Sequence, residues 1–407
     1  MRFLLLVLLG LTLGSCAQRE PQVITKTPIP ALLDRSELIR QGKEWEQVQN
    51  HYGSLRQKIE QGEDVAKSTL ELAQLFTIEA RITGEHGHYY PAAQGLLDGL
   101  LENRDLDQDL RFVSLTTLAG VQLSQHHFQE ALITGKEALQ MNPYNAQIYG
   151  VLVDAYVELG SYPEAVAMAD QMVAIRPDIR SYARISYLRE IYGQVEEAIE
   201  AMQMAVLAGS PGSEEKSWAA YQLGQLYQRY GYLEQAQHIY NQILEERPDY
   251  PFAVAARGEI FEAKSEWDRA EAAYLEAASI IPEFSFYESL ALLYQKQGQA
   301  AKADSLLQEV LVMLADDVAS GHAMDLEYAH LYEYGFQQLE KALDYTLEAY
   351  TQRPNNIDVN LRLAQLYQKM GKPAKAREHT QVAASTQSKH PDLLSLQADL
   401  ASLSLAE

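Results

Sequence analysis

Along most of the chain, apolar residues recur at three- and four-residue spacing, as in Ile148, Leu152, Ala155 and Tyr156, the period of one face of an α-helix. Strand-like alternation is scarce and Ala, Leu, Glu and Gln are abundant, so the fold class is all-α. The stripes come in pairs. From Ala146, in AQIYGVLVDAYVELGSYPEAVAMADQMVAIRPD, Tyr149, Leu152 and Tyr156 form one stripe, Gly160 allows a turn, and Tyr162 and Ala165 open a second helix. That helix is predicted to stop at Pro177, because proline disfavours helical geometry in the residue before it.

The same order recurs in near phase. Ala119, Phe128, Ala131, Ala138 and Pro143 mark the preceding copy, and Gly193, Ala198 and Ala205 the following one, which lacks a closing proline. Further copies carry Leu223, Gly224, Tyr227, Gly231, Ala236, Tyr240 and Pro248, then Gly258, Phe261, Trp267, Ala270, Tyr274, Ala277 and Pro282. Ala291, Tyr294, Gly298, Ala303 and Leu307 continue the series. Ala342, Ala349 and Pro354 close a copy whose first helix departs from the pattern, and Leu363, Ala364, Tyr367, Gly371, Ala376 and Ala383 mark the last. This pattern resembles the tetratricopeptide repeat, a helix–turn–helix unit of about 34 residues.

The resemblance implies an α-solenoid, a right-handed superhelix of about eight repeats over residues 112–390. Small residues, such as Gly258 facing Ala270 and Ala277, are expected to let paired helices approach closely. Large ones, such as Phe261 and Tyr274, should fill the groove between one pair and the next. One pair cannot bury its apolar face alone, so the pairs stack, each repeat contacting mainly its neighbours.

Upstream, residues 31–111 are predicted to hold N-terminal helices with a divergent repeat. Leu72, Ala73 and Phe76 suggest its first helix and Ala93 and Leu97 its second, with an over-long insertion between them. Ser36 to about Glu60 suggests a long amphipathic helix, with Ser36 as cap and Trp45 buried. Residues 391–407 are predicted to form a helix capping the array.

The start of the chain has a different pattern. Arg2 precedes a short apolar run, Phe3 to Leu13, followed by Leu13-Gly14-Ser15-Cys16. The run is too short to span a bilayer as a helix, which takes about 20 residues, and fits the apolar region of a signal peptide at residues 1–15. Gly14 and Ser15 before the cysteine resemble the lipobox of bacterial lipoproteins, which implies lipid attachment at Cys16 and cleavage just before it. Ala17 carries no acidic inner-membrane retention signal, so the expected location is the cell envelope, at the outer membrane of a two-membrane cell. Residues 16–30, with three prolines, should form an extended tether.

Composition then narrows the function. The formal charge is -23, from 33 Lys+Arg against 56 Asp+Glu, so nucleic acid is a poor partner for the body, as are anionic headgroups. With one cysteine no intrachain disulfide can form. Glu85, His86, His88, Tyr89 and Tyr90 lie in the apparent insertion, but His86 and His88 do not share a helix face and no further ligand has zinc spacing. They are expected to form a polar loop, and His126-His127 a turn. Asp105, Asp107 and Asp109 open like a calcium loop, yet Leu110 and Thr116 stand where glycine and glutamate are needed, leaving an acidic turn. No nucleophile elbow, phosphate loop or dinucleotide fingerprint is present. The expectation is therefore no enzyme, no cofactor and no metal.

In tetratricopeptide arrays the first helix of each pair lines the concave face. By phase, that face should carry Arg180, Arg184 and Tyr187, then Trp218, Tyr221, Gln225 and Arg229, then Glu259 and Glu262. Arginine and aromatic side chains dominate binding hot spots, and this set suggests a locally cationic surface suited to an acidic partner segment. Tyr187 and Tyr221 could equally pack between neighbouring helices. The expected function is a membrane-anchored scaffold binding a protein or peptide of the cell envelope. The alternative is a glycan-binding outer-membrane lipoprotein of the starch-utilisation type, with Gly84 to Pro91 as its only candidate sugar platform.

Overall fold

In the computed structural model, residues 29–40 and 43–404 are described; the signal-type segment and Cys16 lie outside them. The body runs from Ala31 onward. Its first helix, α1 (Lys43–Gln61), precedes a series of helix pairs. These are α2 (Val65–Thr83) with α3 (His86–Glu102), α4 (Gln108–Ser124) with α5 (Phe128–Met141), and α6 (Ala146–Glu158) with α7 (Tyr162–Ile175). Next come α8 (Ile179–Ile191) with α9 (Val195–Ala208), α10 (Glu214–Arg229) with α11 (Leu233–Glu246), and α12 (Pro251–Ala263) with α13 (Trp267–Ile280). The last are α14 (Phe284–Lys296) with α15 (Ala300–Ala319), α16 (Asp325–His330) with α17 (Leu339–Gln352), and α18 (Ile357–Lys369) with α19 (Pro373–Ala383). A final helix, α20 (Pro391–Ser404), follows. No strand occurs among the described residues.

From α4 onward the turn inside each pair is built on one residue with positive φ. Five are glycines, Gly160, Gly193, Gly231, Gly298 and Gly371, which adopt this geometry without a Cβ penalty. His126, Ser265 and Gln337 take the same role with φ between 55° and 63°, which is why the glycine signature is missing from their copies.

Within a pair, small faces large. A Cβ on Gly258 would lie 2.7 Å from Cε1 of Tyr274, and one on Gly224 would lie 2.2 Å from Cε1 of Tyr240. Gly258 thus seats a tyrosine ring rather than opposing Ala270 and Ala277 directly. The buried hydroxyls are satisfied: Tyr240 Oη donates to Gln228 Oε1 (3.2 Å) and Tyr274 Oη to Glu262 Oε2 (3.1 Å). The two repeats reproduce one device at the same positions.

The N-terminal region departs from expectation. Gly84 and Glu85 alone join α2 to α3, so the apparent insertion is taken up by two long helices. His86, His88, Tyr89 and Tyr90 are the first turn of α3, not a loop, and both tyrosines are buried. Ser36 caps no helix; residues 37–39 form a turn, because Arg35 and Ile39 are held in place. Arg35 donates to Glu79 through Nε and Nη2 (2.9 and 2.6 Å), both residues being buried. Its guanidinium also covers the ring of Trp45, which is buried as expected. Ile39 enters a core cluster with Val254, Phe261 and Tyr274. In the copy with the unusual first helix, α16 gives way to a π-helical turn, Leu331–Gly335. At the other end Leu396 and Leu400 of α20 cover the apolar residues of α18 and α19, capping the array.

Successive superhelical turns touch. His126 Nδ1 lies 2.8 Å from the carbonyl of Ala323, and the Ala323 N–H donates to the carbonyl of Gln125 (3.1 Å). Arg353 pairs with Glu158, Asn356 Nδ2 donates to the Glu158 carbonyl (2.9 Å), and the Ile357 N–H donates to Tyr162 Oη (2.8 Å). Gly160 and Gly193 lie so close to Asn355 and Gln387 that a Cβ on either would fall 2.4 Å from a backbone atom. The bonded partners are 195–198 residues apart, so one turn takes just under six repeats of about 34 residues.

Candidate functional site

The turn-on-turn arrangement encloses a groove lined by the first helices of the pairs. Its larger cavity, about 890 Å³, is bounded by α2, α4, α6, α8 and α10. Of the predicted residues, Arg180, Arg184, Tyr187, Trp218 and Arg229 line it. Tyr221 does not; its ring packs 5.9 Å from that of Phe252 and 6.3 Å from that of Tyr240, one residue further round α10 than the groove. Gln225 is half-buried away from the cavity. Glu259 and Glu262 are likewise engaged between helices, Glu259 accepting from Gln228 Nε2 (2.7 Å) and Glu262 pairing with Lys296.

Three large apolar side chains stay exposed in this cavity: Ile78 (46%), Tyr187 (40%) and Trp218 (44%). Ile78 was not anticipated; it falls outside the α2 stripe of Leu72, Ala73 and Phe76, and that displacement is the signal that could have marked it. Surrounding protein pushes the Tyr187 phenol well above its ordinary pKa, although the ring still meets the groove.

The expected cationic surface is not there. Arg184 binds Asp154 (Nε–Oδ1 2.8 Å) and the carbonyl of Gly150 (3.1 Å). Arg180 pairs with Glu215, Arg229 with Glu190, and Arg81 with Glu214 at 4.0 Å. All four acids line the same cavity. Its fixed charges therefore cancel, and the arginines tie neighbouring first helices together instead of waiting for a ligand.

A smaller cavity of about 390 Å³ continues the groove, sharing Leu123 and Asp154 with the first. It forms where two superhelical turns meet, between Phe128, Glu158 and the later residues Glu327, Arg353, Asn356 and Asp358. Asp154, Glu158, Glu327 and Asp358 supply four carboxylates against one fixed cation, Arg353. Surrounding protein pushes the Glu158 and Asp358 carboxyls up from their ordinary values, although Asp358 still meets the cavity.

Beside this cavity lies a seam of histidines. His86 and His322 have ring centroids 6.1 Å apart, and Tyr90 lies 5.6 Å from His322. Burial, then repulsion from His322 and His126, lowers the His86 pKa to about 4, and burial lowers that of His322. Among the described residues no group of three His, Cys, Asp or Glu is placed to hold a metal ion. Asp107 caps α4, accepting from the N–H groups of Asp109 and Leu110.

A tetratricopeptide-repeat family model matches residues 122–189 and 334–400, and a second such model matches 219–250. The matched segments are tetratricopeptide repeats. Among solved structures, a human IFIT1 dimer with PPP-AAAA is 16% identical, covering 88% of this chain and 90% of that one, with a TM-score of 0.47. PilF of Pseudomonas aeruginosa is 15% identical over 51% of this chain and 93% of its own, with a TM-score of 0.41. PilW, a type IV pilus biogenesis factor, is 16% identical over 50% and 93%, also at 0.41. At such identities the likeness is one of fold alone. No curated protein matches the chain.

Proposed function

We propose that this tetratricopeptide solenoid is a lipid-anchored scaffold of the bacterial cell envelope, binding a protein or peptide partner in its inner groove without catalysis. The observation that carries the binding role is the exposure of Ile78, Tyr187 and Trp218 inside one open groove cavity. Burying such side chains supplies affinity, and aromatic anchors supply most of it. The anchoring role rests on Leu13-Gly14-Ser15-Cys16. No described helix is long and apolar enough to cross a membrane, and two or more acyl chains on Cys16 would hold the body durably at a bilayer. The glycan-binding alternative loses its platform, since Tyr89 and Tyr90 are core residues of α3.

Two measurements test this. Cells fed labelled fatty acid should label the wild type and not Cys16→Ala; equal labelling would end the lipoprotein assignment. In pull-down of envelope proteins, Trp218→Ala and Tyr187→Ala should each weaken capture by roughly 1–4 kcal/mol. Glu245→Ala, on the exposed face of α11, should leave it unchanged. Loss with the Glu245 variant alone would place binding on the outer surface.

A further inference from the structure

We propose that the groove takes an extended peptide segment with an uncharged centre and a basic side chain at the end lying beside α18; this rests on the groove being the binding surface. In the larger cavity every lining arginine is already engaged by a lining carboxylate. A charged partner residue there would have to break an existing pair or remain desolvated without one, and either is unfavourable.

What the cavity offers is neutral. Ile78, Tyr187 and Trp218 present apolar surface, and the side-chain amides of Gln147 and Gln222 take no partner among the described residues. Each amide can donate and accept at once, which suits the alternating N–H and C=O groups of an extended main chain. The lining hydroxyls of Thr77 and Thr116 donate to their own helix carbonyls, so towards a ligand they act as acceptors, whereas Thr117 also accepts from Gln74 Nε2 (3.4 Å).

Beyond Leu123 and Asp154 the balance changes sign. Asp154 and Glu158 are held by Arg184 and Arg353, but Glu327 and Asp358 have no ion pair among the described residues. Asp358 is exposed to the cavity space. The Phe128 ring beside them already carries one guanidinium, that of Arg353 at 4.7 Å from its centroid, so this end is built to surround positive charge. A lysine or arginine arriving here would meet two uncommitted carboxylates, whereas an acidic residue would meet only repulsion.

The test is selection from a displayed library of random twelve-residue peptides on the full chain, followed by fluorescence anisotropy with N-acetylated synthetic copies. Selected sequences should carry an uncharged centre with an aromatic or aliphatic residue and Lys or Arg towards one end. Trp218→Ala should weaken them about tenfold or more. Replacing the terminal Lys by Gln should cost wild type about tenfold, and cost nothing in the double variant Glu327→Gln, Asp358→Asn. Enrichment of Asp or Glu, or an unchanged Lys preference in that double variant, would overturn the proposal. If such peptides still lost affinity with Trp218→Ala, the groove would stand as the binding surface and only its charge assignment would fall. No enrichment, or binding indifferent to both Trp218→Ala and Tyr187→Ala, would overturn the groove as well.

Discussion

The contacts inside one superhelical turn and those between turns are built from different chemistry. Inside a turn, pairs pack through alanine, glycine and tyrosine, with Ala270, Ala277 and Tyr274 almost wholly buried. Between turns the named bonds are polar, His126 with Ala323, Arg353 with Glu158, Asn356 with the Glu158 carbonyl, and Ile357 adds an apolar contact by entering the cluster around Val157 and Tyr162. The first interface stabilises through area removed from water and close fit. The second gains little net energy per bond, since its groups also bond to water, but it is directional and sets which loop meets which. One holds the repeats together; the other fixes how tightly they coil.

The largest expected effect comes from the stitch joining both systems. Arg35 fills the pocket over Trp45 and pairs with Glu79, while Ile39 reaches the α12–α14 core. Arg35→Leu leaves the Glu79 carboxylate buried and unpaired, at a cost of about 3–5 kcal/mol. Denaturant unfolding should show it, and Arg35→Leu with Glu79→Leu should recover most of the loss. No recovery would mean that packing against Trp45, not charge, matters at this site.

Gly224→Ala tests the interface within a turn. Alanine is the better helix former by about 0.5–1 kcal/mol, yet its Cβ would enter the Tyr240 ring. A net loss of about 1–3 kcal/mol is expected, and Tyr240→Leu in the same chain should relieve it. A more stable single variant would show that the ring moves aside freely.

Gly160→Ala tests the seam. The residue has φ of +75° and its Cβ would lie 2.4 Å from the Asn355 carbonyl carbon, so about 1–2 kcal/mol is expected from backbone geometry alone. Hydrogen exchange should rise at 158–162 and 353–357 while the Gly224 and Gly258 repeats keep their protection. Uniform loss would mean that the two interfaces unfold as one.

The smallest effect is that of pH. His86 titrates near 6.5 when unfolded but is lowered to about 4 in the fold, so its contribution is present above pH 6.5 and lost as pH falls through about 4. Glu283 and Asp317, raised by burial to about 7 and about 6, act with the opposite sign: their contribution is present at low pH and lost as pH rises. Comparing wild type with His86→Gln isolates the histidine, which should account for on the order of 1 kcal/mol lost between pH 7 and pH 5. Identical pH curves would show that the seam does not sense protonation of His86.

This contrast also explains what the sequence revealed. The interface within a turn is periodic, so Gly160, Gly231, Ala270 and Tyr274 announce it at fixed spacing. The copies turning on His126, Ser265 and Gln337 are less visible because these residues bear positive φ there without glycine, at a cost of about 1–2 kcal/mol each. The seam left no mark, since residues 195 positions apart share no local pattern, and the expectation that repeats contact mainly their neighbours missed it. Phase assigned Tyr187 and Trp218 to the first-helix face, and both line the cavity. Tyr221 turns towards Phe252, the packing that the sequence left open for it, and the arginines are taken up by acids one helix away, which phase alone does not register. Arg35 escaped notice because an isolated charged residue before a helix looks like any surface position.

The seam gives the array a counting rule. In an open solenoid a repeat can be duplicated or deleted with little effect on distant parts, because each unit answers only to those beside it. Here removing one would slide every later loop by one position against the turn beneath, setting Gly160 and Gly193 against the wrong backbone and moving Arg353 away from Glu158. Point substitutions can accumulate along such a chain, but copy number is locked to the coil, so its descendants should diverge in residues long before they differ in length.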